Sequence, residues 1–189
     1  MRFHFFRHVS SIMIIKNKTI IEDDWQVLRL QGQETAKEVV IPDGNIIVPL
    51  KVWLEQRAVL QQRNDIGVWF ASDERPEDLT EDIHRFSVIA VDFPKFSDGR
   101  GYSIAYNLRA RMGYSGELRA IGDVLRDQLF YMQRVGFDTF EPRPDRDIND
   151  ALKGLKDFSE VYQTSIDQKQ PLFRRVIRQG MDATGYGND

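Results

Sequence analysis

A regular alternation of short apolar runs with amphipathic segments begins near residue 46 and limits the folds open to this chain. The apolar runs lie at residues 46–48, 66–71, 87–92, 117–121 and 137–140. Between them, apolar residues recur every three or four positions, which indicates helices that cover a sheet. Strands separated by helices are typical of parallel sheets with right-handed crossovers. We therefore predict an α/β fold with about five βα units that form a mainly parallel sheet.

Several boundary residues agree with this pattern. Pro76 is placed to open a short helix, Gly113 and Gly136 to end helices, and Asp147 to cap one. A complete eightfold barrel usually needs about 250 residues, whereas this chain has 189. We therefore favour an open sheet, and a partial TIM-like barrel is the alternative.

The N-terminal part has a different pattern. Apolar runs at residues 12–15 and 19–21 flank a polar turn, which predicts a small β-hairpin. Within the turn, Asn17 is the residue best able to adopt a positive φ.

The length of the chain suits one domain. We assign residues 12–163 to a single α/β domain, with residues 1–11 as an N-terminal extension. Residues 161–162 are a possible further strand. We expect residues 164–189 to form a C-terminal helix with a frayed tail.

Composition excludes several classes of function. The net charge is −3 with both signs mixed along the chain, so there is no general basic field for nucleic acid. The absence of cysteine excludes disulfides, thiolate zinc sites, cysteine-ligated clusters and a cysteine nucleophile. The three histidines, His4, His8 and His84, lack metal-binding spacing. No motif for a cofactor is recognisable.

The apolar runs are also short. None approaches the roughly 18 residues of a membrane span, and the N-terminus lacks the pattern of a signal peptide. We therefore expect a cytoplasmic protein that does not contact a membrane.

The segment with most candidate functional residues follows the clearest buried strand, residues 87–92. Ligands of parallel α/β sheets bind beyond the carboxyl ends of the strands, and Gly99 and Gly101 free the backbone around Arg100. Ser103 is the expected N-cap of the next helix, where an anion is favoured. One interpretation is an oxyanion or phosphate cradle, with ligand-binding candidates Asp92, Lys95, Gly99, Arg100, Gly101 and Ser103. The other is a structural turn in which Asp98 pairs with Arg100 and Ser103 simply caps.

A second charged turn follows the strand at residues 117–121. Asp123 is either a helix N-cap or a functional carboxylate, and Arg126 lies where it opposes the helix dipole. Arg126 therefore needs a partner, either a carboxylate such as Asp123 or a bound anion. Arg119 on the strand is a further ligand-binding candidate.

Carboxylates in these two turns are the candidates for catalysis. Asp98 and Asp123 could act as a general base or as metal ligands. Together with Asp92 they could hold Mg²⁺ through oxygen ligands, although each carboxylate could equally be structural. The same strand-end rule places Glu141 and Arg143 after the strand at residues 137–140.

Three long motifs carry a family resemblance. They are DFPKFSDGRGYS at residues 92–103, LRARMGYSGELRAIGDVLRDQL at residues 108–129 and GFDTF at residues 136–140. The chain thereby resembles a bacterial family, domain of unknown function 934, whose members are typically encoded beside assimilatory sulfite reductase. The resemblance implies a context of sulfur assimilation.

Three hypotheses about function remain open. The first is an accessory protein that docks on sulfite reductase or on its electron donor. The second is a small enzyme or binding protein for an anionic metabolite, with its site on residues 92–103. The third is a structural homo-oligomerisation module.

Overall fold

The computed structural model describes residues 12–155, and the predictions for residues 1–11 and 156–189 lie outside this range. Its eight strands are β1 (Ile12–Lys16), β2 (Thr19–Asp23), β3 (Gln26–Val27), β4 (Ile46–Pro49), β5 (Ile66–Phe70), β6 (Val88–Phe93), β7 (Glu117–Gly122) and β8 (Thr139–Phe140). The four α-helices are α1 (Leu50–Leu60), α2 (Arg100–Tyr106), α3 (Arg126–Val135) and α4 (Ile148–Gly154).

All eight strands form one sheet, in the order β2-β1-β8-β7-β6-β5-β4-β3. Strands β3 to β8 run parallel to one another, whereas β1 is antiparallel to both β2 and β8. The predictions of a mainly parallel sheet and of an N-terminal hairpin are therefore confirmed. The hairpin turn contains Asn17 and Lys18, with φ values of 49° and 63°.

The connection between the two edge strands shows that the sheet is curled. β2 and β3 lie at opposite edges, yet only Asp24 and Trp25 separate them in sequence. The steps from Asp23 to Gln26 span at most about 11 Å, whereas eight strands side by side in a flat sheet would cover about 34 Å. The sheet is accordingly a curled half-barrel. This corresponds to the partial-barrel alternative rather than to the open sheet that we favoured.

The connections between the parallel strands are less regular than predicted. The segment between β5 and β6 forms two 3₁₀ turns, Pro76–Leu79 and Ile83–Arg85, instead of one helix. The α2 helix continues as a π-helical turn, Asn107–Arg111. Five regular βα units are therefore not formed within the described part of the chain.

The helices cover one face of the sheet, where most of the core lies. There the side chains of Val68, Val91 and Leu118 pack with helix residues such as Leu108 and Leu129. On the inner face a smaller cluster contains Ile47, Val88, Ala90 and Ile121, and Trp25, Val27 and Trp69 pack against it. The chain that joins the two edges of the sheet thus also contributes to the inner face.

Two predicted helix caps are wrong. Gly99 occupies the N-cap position of α2, and Ser103 lies exposed within the first turn. The helix begins earlier because the Asp98 carboxylate accepts a 3.2 Å hydrogen bond from the Arg100 N–H. Leu125, rather than Asp123, is the N-cap residue of α3. The predicted cap at Asp147 is confirmed, since its side chain accepts from the Asn149 N–H.

Candidate functional site

The carboxyl ends of the parallel strands meet at one rim of the half-barrel. In the β6–β7 register, Asp92 lies beside Ile121 and Phe93 beside Gly122. Glu141 directly follows β8 at the same rim, where its N–H donates to the Ala120 carbonyl at 2.9 Å. This rim is where parallel α/β sheets bind ligands.

Residues 94–99 form a loop on this rim that is fixed through Phe96. The Phe96 N–H donates to Asp123 Oδ2 at 2.8 Å, and Gln128 Nε2 donates to the Phe96 carbonyl at 2.7 Å. Asp123 is in turn attached to the end of β6, because its N–H donates to the Phe93 carbonyl at 2.7 Å. Although its backbone is held on both sides, Phe96 is 61% exposed. The motif at residues 92–103 contains Phe96, but nothing in the motif distinguishes it as an exposed docking residue, because a single aromatic in a polar loop has no distinguishing period.

Asp98 and Arg100 pair with each other on the same loop. Arg100 donates from Nε to Oδ1 at 2.9 Å and from Nη2 to Oδ2 at 2.7 Å, and Nη2 also reaches Ser72 Oγ at 2.9 Å. Hydrogen bonds from Arg100 and Ser72 hold the pKa of Asp98 well below its ordinary value. The pair has the geometry of the structural-turn interpretation. The anion-cradle interpretation of Arg100 stays a prediction.

The second charged turn makes different contacts from those anticipated. Arg126 pairs with Asp150 on α4 at 2.9 Å, so its suggested pairing with Asp123 does not form. The carboxylate of Asp123 instead accepts from Arg143 Nη1 at 3.1 Å. Arg143 also meets Asp145 at 2.8 Å. Asp123 thus connects two rim loops to the end of β6.

Asp92 faces the inner side of the half-barrel and pairs with Arg29. Arg29 Nη2 lies 2.6 Å from Asp92 Oδ1, and its guanidinium stacks over the Trp69 ring at 5.2 Å. The three carboxylates proposed for Mg²⁺, Asp92, Asp98 and Asp123, therefore each meet a different arginine. Within residues 12–155 no three His, Asp or Glu side chains are arranged to hold a metal ion.

Arg119 lies fully buried on the inner side, with 0% exposure. Its guanidinium donates to both oxygens of Asp23, at 2.6 and 3.1 Å, and from Nε to Glu117 Oε1 at 2.8 Å. Lys16 completes the network through Glu117 Oε2 at 2.7 Å. This network ties β7 to β1 and to the end of β2, the strand that continues towards β3. Arg119 was predicted to bind a ligand, but its guanidinium contacts Asp23 and Glu117 and holds strands of the sheet together.

Glu141 differs from the other rim carboxylates. Its Oε2 atom is buried and has no hydrogen-bond partner in the part of the chain that the structure describes. Burial raises the pKa of Glu141, against the opposing positive charges of Arg119 and Arg29. Its place after β8 is the only sequence signal of a functional position, and that signal is shared with many solvated residues. Only the fold shows that this carboxyl is enclosed.

Fold and rim together define the chain as an α/β half-barrel protein with a charged site at the carboxyl ends of its strands. No helix among residues 12–155 is long and apolar enough to cross a membrane. Residues 67–173, more than half of the chain, match the family model described as bacterial protein of unknown function (DUF934). The chain therefore belongs to the family of domain of unknown function 934, as the resemblance indicated. No match was found among curated proteins or among solved structures.

Proposed function

We propose that the chain is an accessory protein of sulfur assimilation that docks on sulfite reductase or on its electron donor. The sequence resemblance implies this context, whereas the matching family model is described only as of unknown function. The docking surface in this proposal is the fixed loop of residues 94–99, centred on Phe96. The carrying observation is that Phe96 is 61% exposed while both its backbone groups are hydrogen-bonded.

A fixed, exposed aromatic ring is well suited to partner binding. Burying a phenylalanine side chain contributes about 1.5–3 kcal/mol, and aromatic residues are enriched in interfaces. Ordering a mobile loop would oppose binding, but here the bonds to Asp123 and Gln128 already hold the loop. Lys95, the preceding residue in the chain, adds a positive charge to the loop, whereas Arg100 is neutralised by Asp98. We expect the partner to present an apolar pocket for Phe96.

A pull-down from sulfate-grown cells tests the proposal. The immobilised full chain should recover sulfite reductase or its electron donor, and Phe96→Ala should lower the recovery at least about ten-fold, since a loss of 1.4 kcal/mol corresponds to a factor of ten. Val59→Ala is the matched control, because Val59 is 69% exposed and lies near the end of α1, away from the rim. Recovery of neither partner by the wild-type chain would contradict the proposal. Equal recovery by wild type and Phe96→Ala would also contradict it.

A second candidate function is a binding protein or small enzyme for an anionic metabolite. The observation that favours it is the Arg100 side chain, which is 61% exposed on the rim despite its pairing with Asp98. Thermal unfolding in the presence of sulfite, sulfate, phosphate or adenylylated sulfate tests this alternative. It requires that one anion raises the melting temperature and that Arg100→Ala removes the effect.

A further inference from the structure

A cleft of about 320 Å³ opens on the inner side of the half-barrel, between β2–β3 and the end of β8. Its walls include Asp24, Trp25, Arg29 and Glu141. A water molecule occupies about 30 Å³ of liquid, so the cleft has room for a ligand of several heavy atoms. The loop of residues 94–99 is not part of its walls, so the cleft is independent of the proposed docking surface.

One side of the cleft carries an acceptor that lacks a donor. Glu141 Oε2 is buried, and no group among residues 12–155 donates a hydrogen bond to it. Because Oε2 is closed to solvent, a ligand in the cleft would meet the carboxylate at Oε1, which also accepts no hydrogen bond within these residues. A ligand that brings an N–H donor would give this carboxylate a partner.

The other side of the cleft carries the guanidinium of Arg29, which has N–H donors that make no bond to the described part of the protein. Arg29 uses Nη2 to bind Asp92, and its Nε and Nη1 atoms donate to no group in the described range 12–155. The guanidinium is nevertheless held in place, because it stacks over Trp69. Its side chain is 46% exposed, so a carboxylate in the cleft can reach the remaining N–H groups, in the geometry that arginine favours.

Arg29 and Glu141 do not pair with each other. Their nitrogen and oxygen atoms are more than 4.0 Å apart, although the positive charge of Arg29 acts to lower the pKa of Glu141. A carboxylate and a guanidinium, neither saturated by bonds to residues 12–155, thus line one cleft across a gap. We propose that this cleft binds a small zwitterion of the α-amino acid class, with its carboxylate on Arg29 and its ammonium group on Glu141.

The surrounding charges favour this orientation. Near Glu141, the positive charges of Arg119 and Arg29 are opposed by the negative charges of Asp23 and Asp92. Asp24 adds a further carboxylate to the cleft wall and is held by Asn45 at 2.8 Å. Because the charges of these two arginines and two aspartates offset each other, the ammonium group of the ligand is attracted to Glu141 and Asp24. Ammonium binding favours the charged form of Glu141, so affinity falls as the pH is lowered and Glu141 gains a proton.

Calorimetric titration of the full chain tests the inference, with glycine, L-alanine and L-serine as zwitterions. Acetate and methylammonium are probes that carry one charge each. We expect each zwitterion to bind at least about ten-fold more tightly than either single-charge probe, because each satisfied partner contributes more than 1.4 kcal/mol. Glu141→Gln keeps the shape of the side chain and should weaken binding by a similar factor. Glu55→Gln, at an exposed position on α1, is the control and should bind like the wild type.

Three results would overturn the inference. The first is that none of the three amino acids binds. The second is that acetate binds as tightly as glycine, which indicates a simple anion site at Arg29. The third is that Glu141→Gln binds glycine unchanged. If that variant does not fold, the wild-type pH profile decides, and an affinity that is constant or rises as the pH falls contradicts the proposed role of Glu141.

Discussion

Two arginine–carboxylate pairs in this protein have similar geometry and different surroundings. In the interior, Arg119 meets Asp23 at 2.6 Å, and on the rim Arg100 meets Asp98 at 2.7 Å. The Arg119 side chain is 0% exposed, whereas that of Arg100 is 61% exposed. A buried pair that loses one partner leaves an uncompensated charge, while an exposed pair is screened by water and salt. The interior pair therefore maintains the fold, and the rim pair is available for other tasks.

The extent of the two networks supports this distinction. Around Arg119, the carboxylates of Asp23 and Glu117 and the ammonium group of Lys16 join three strands. Around Arg100, the contacts join two loops through Asp98 and Ser72. Loss of the interior network should therefore release the end of β2, from which the chain crosses to β3 at the other edge of the sheet. Loss of the rim pair should release only a loop.

The largest effect is expected for Arg119→Met, which keeps the volume of the side chain and removes its charge. Asp23 and Glu117 then lose their main buried partner, so we expect the free energy of unfolding to fall by about 3–5 kcal/mol. Urea unfolding followed by circular dichroism measures this change. Arg100→Met is the matched control on the rim and should unfold close to the wild-type midpoint. If Arg119→Met loses no more free energy of unfolding than Arg100→Met, the interior pair and the rim pair do not differ in their importance for the fold.

The second largest loss of stability is expected for a substitution of Gly122, the last residue of β7, at the rim. Its φ is 92°, and a Cβ atom would lie 2.5 Å from the Phe93 carbonyl oxygen and 2.7 Å from Asp92 Oδ1. Strain of this kind costs about 1–3 kcal/mol, and the crowding adds to it in Gly122→Ala. Gly44→Ala is the control, because Gly44 has a similar φ of 101° and no atom within 4 Å of the added Cβ. Chemical denaturation should show a clearly larger loss for Gly122→Ala, and equal losses would mean that the rim tolerates displacement.

A smaller effect of opposite sign is expected for Glu141→Gln. Burial raises the pKa of Glu141 above the ordinary 4.5, so the folded state favours its protonated form. Wild-type stability therefore falls as the pH rises from 4.5 through the raised pKa, and the variant avoids this loss. We expect the variant to be more stable at neutral pH, by less than the Arg119→Met loss, because an amide has no charge to desolvate. Unfolding measured from acid to neutral pH should show this gain disappear below pH 4.5, and a gain that persists there would contradict the assignment.

The smallest effect is expected for Asp98→Asn. The pKa of Asp98 is depressed by its hydrogen bonds from Arg100 and Ser72, so the pair stabilises the protein above the ordinary aspartate value of 3.8. This contribution is lost as the pH falls through the depressed pKa. Because the pair is exposed to solvent, we expect the melting temperature at neutral pH to change little and to depend on salt. A destabilisation comparable to that of Arg119→Met would show that the rim pair also maintains the fold.

The sequence predicted the parallel strands β4 to β8 and most helices because their apolar periods are strong, but it did not predict the two-residue strand β3. It offered the curl of the sheet only as the partial-barrel alternative, because the curl depends on the two-residue connection between β2 and β3 and on pairings between distant strands. The helix predicted from Pro76 is divided near Asp82. There the carboxylate accepts from Trp53 Nε1 at 3.0 Å and pairs with Arg57 at 2.7 Å. Such tertiary contacts override local helical spacing.

The rim was predicted better in position than in detail. The strand-end rule located Asp92 and the loop that follows it. The partners of Asp92, Asp123 and Arg126 are Arg29, Arg143 and Asp150, and such long-range pairs leave no local pattern. The enclosed state of Glu141 is likewise visible only in the folded chain.

Growth on sulfate as the only sulfur source tests most directly the claim that the rim loop carries the function. A strain that lacks this gene would carry the wild-type, Phe96→Ala or Val59→Ala chain, and each purified chain would also be checked for its melting temperature. We expect Phe96→Ala to fail to restore growth although its melting temperature is close to that of the wild type, and Val59→Ala to restore it fully. Full growth with Phe96→Ala would contradict the docking role of the loop.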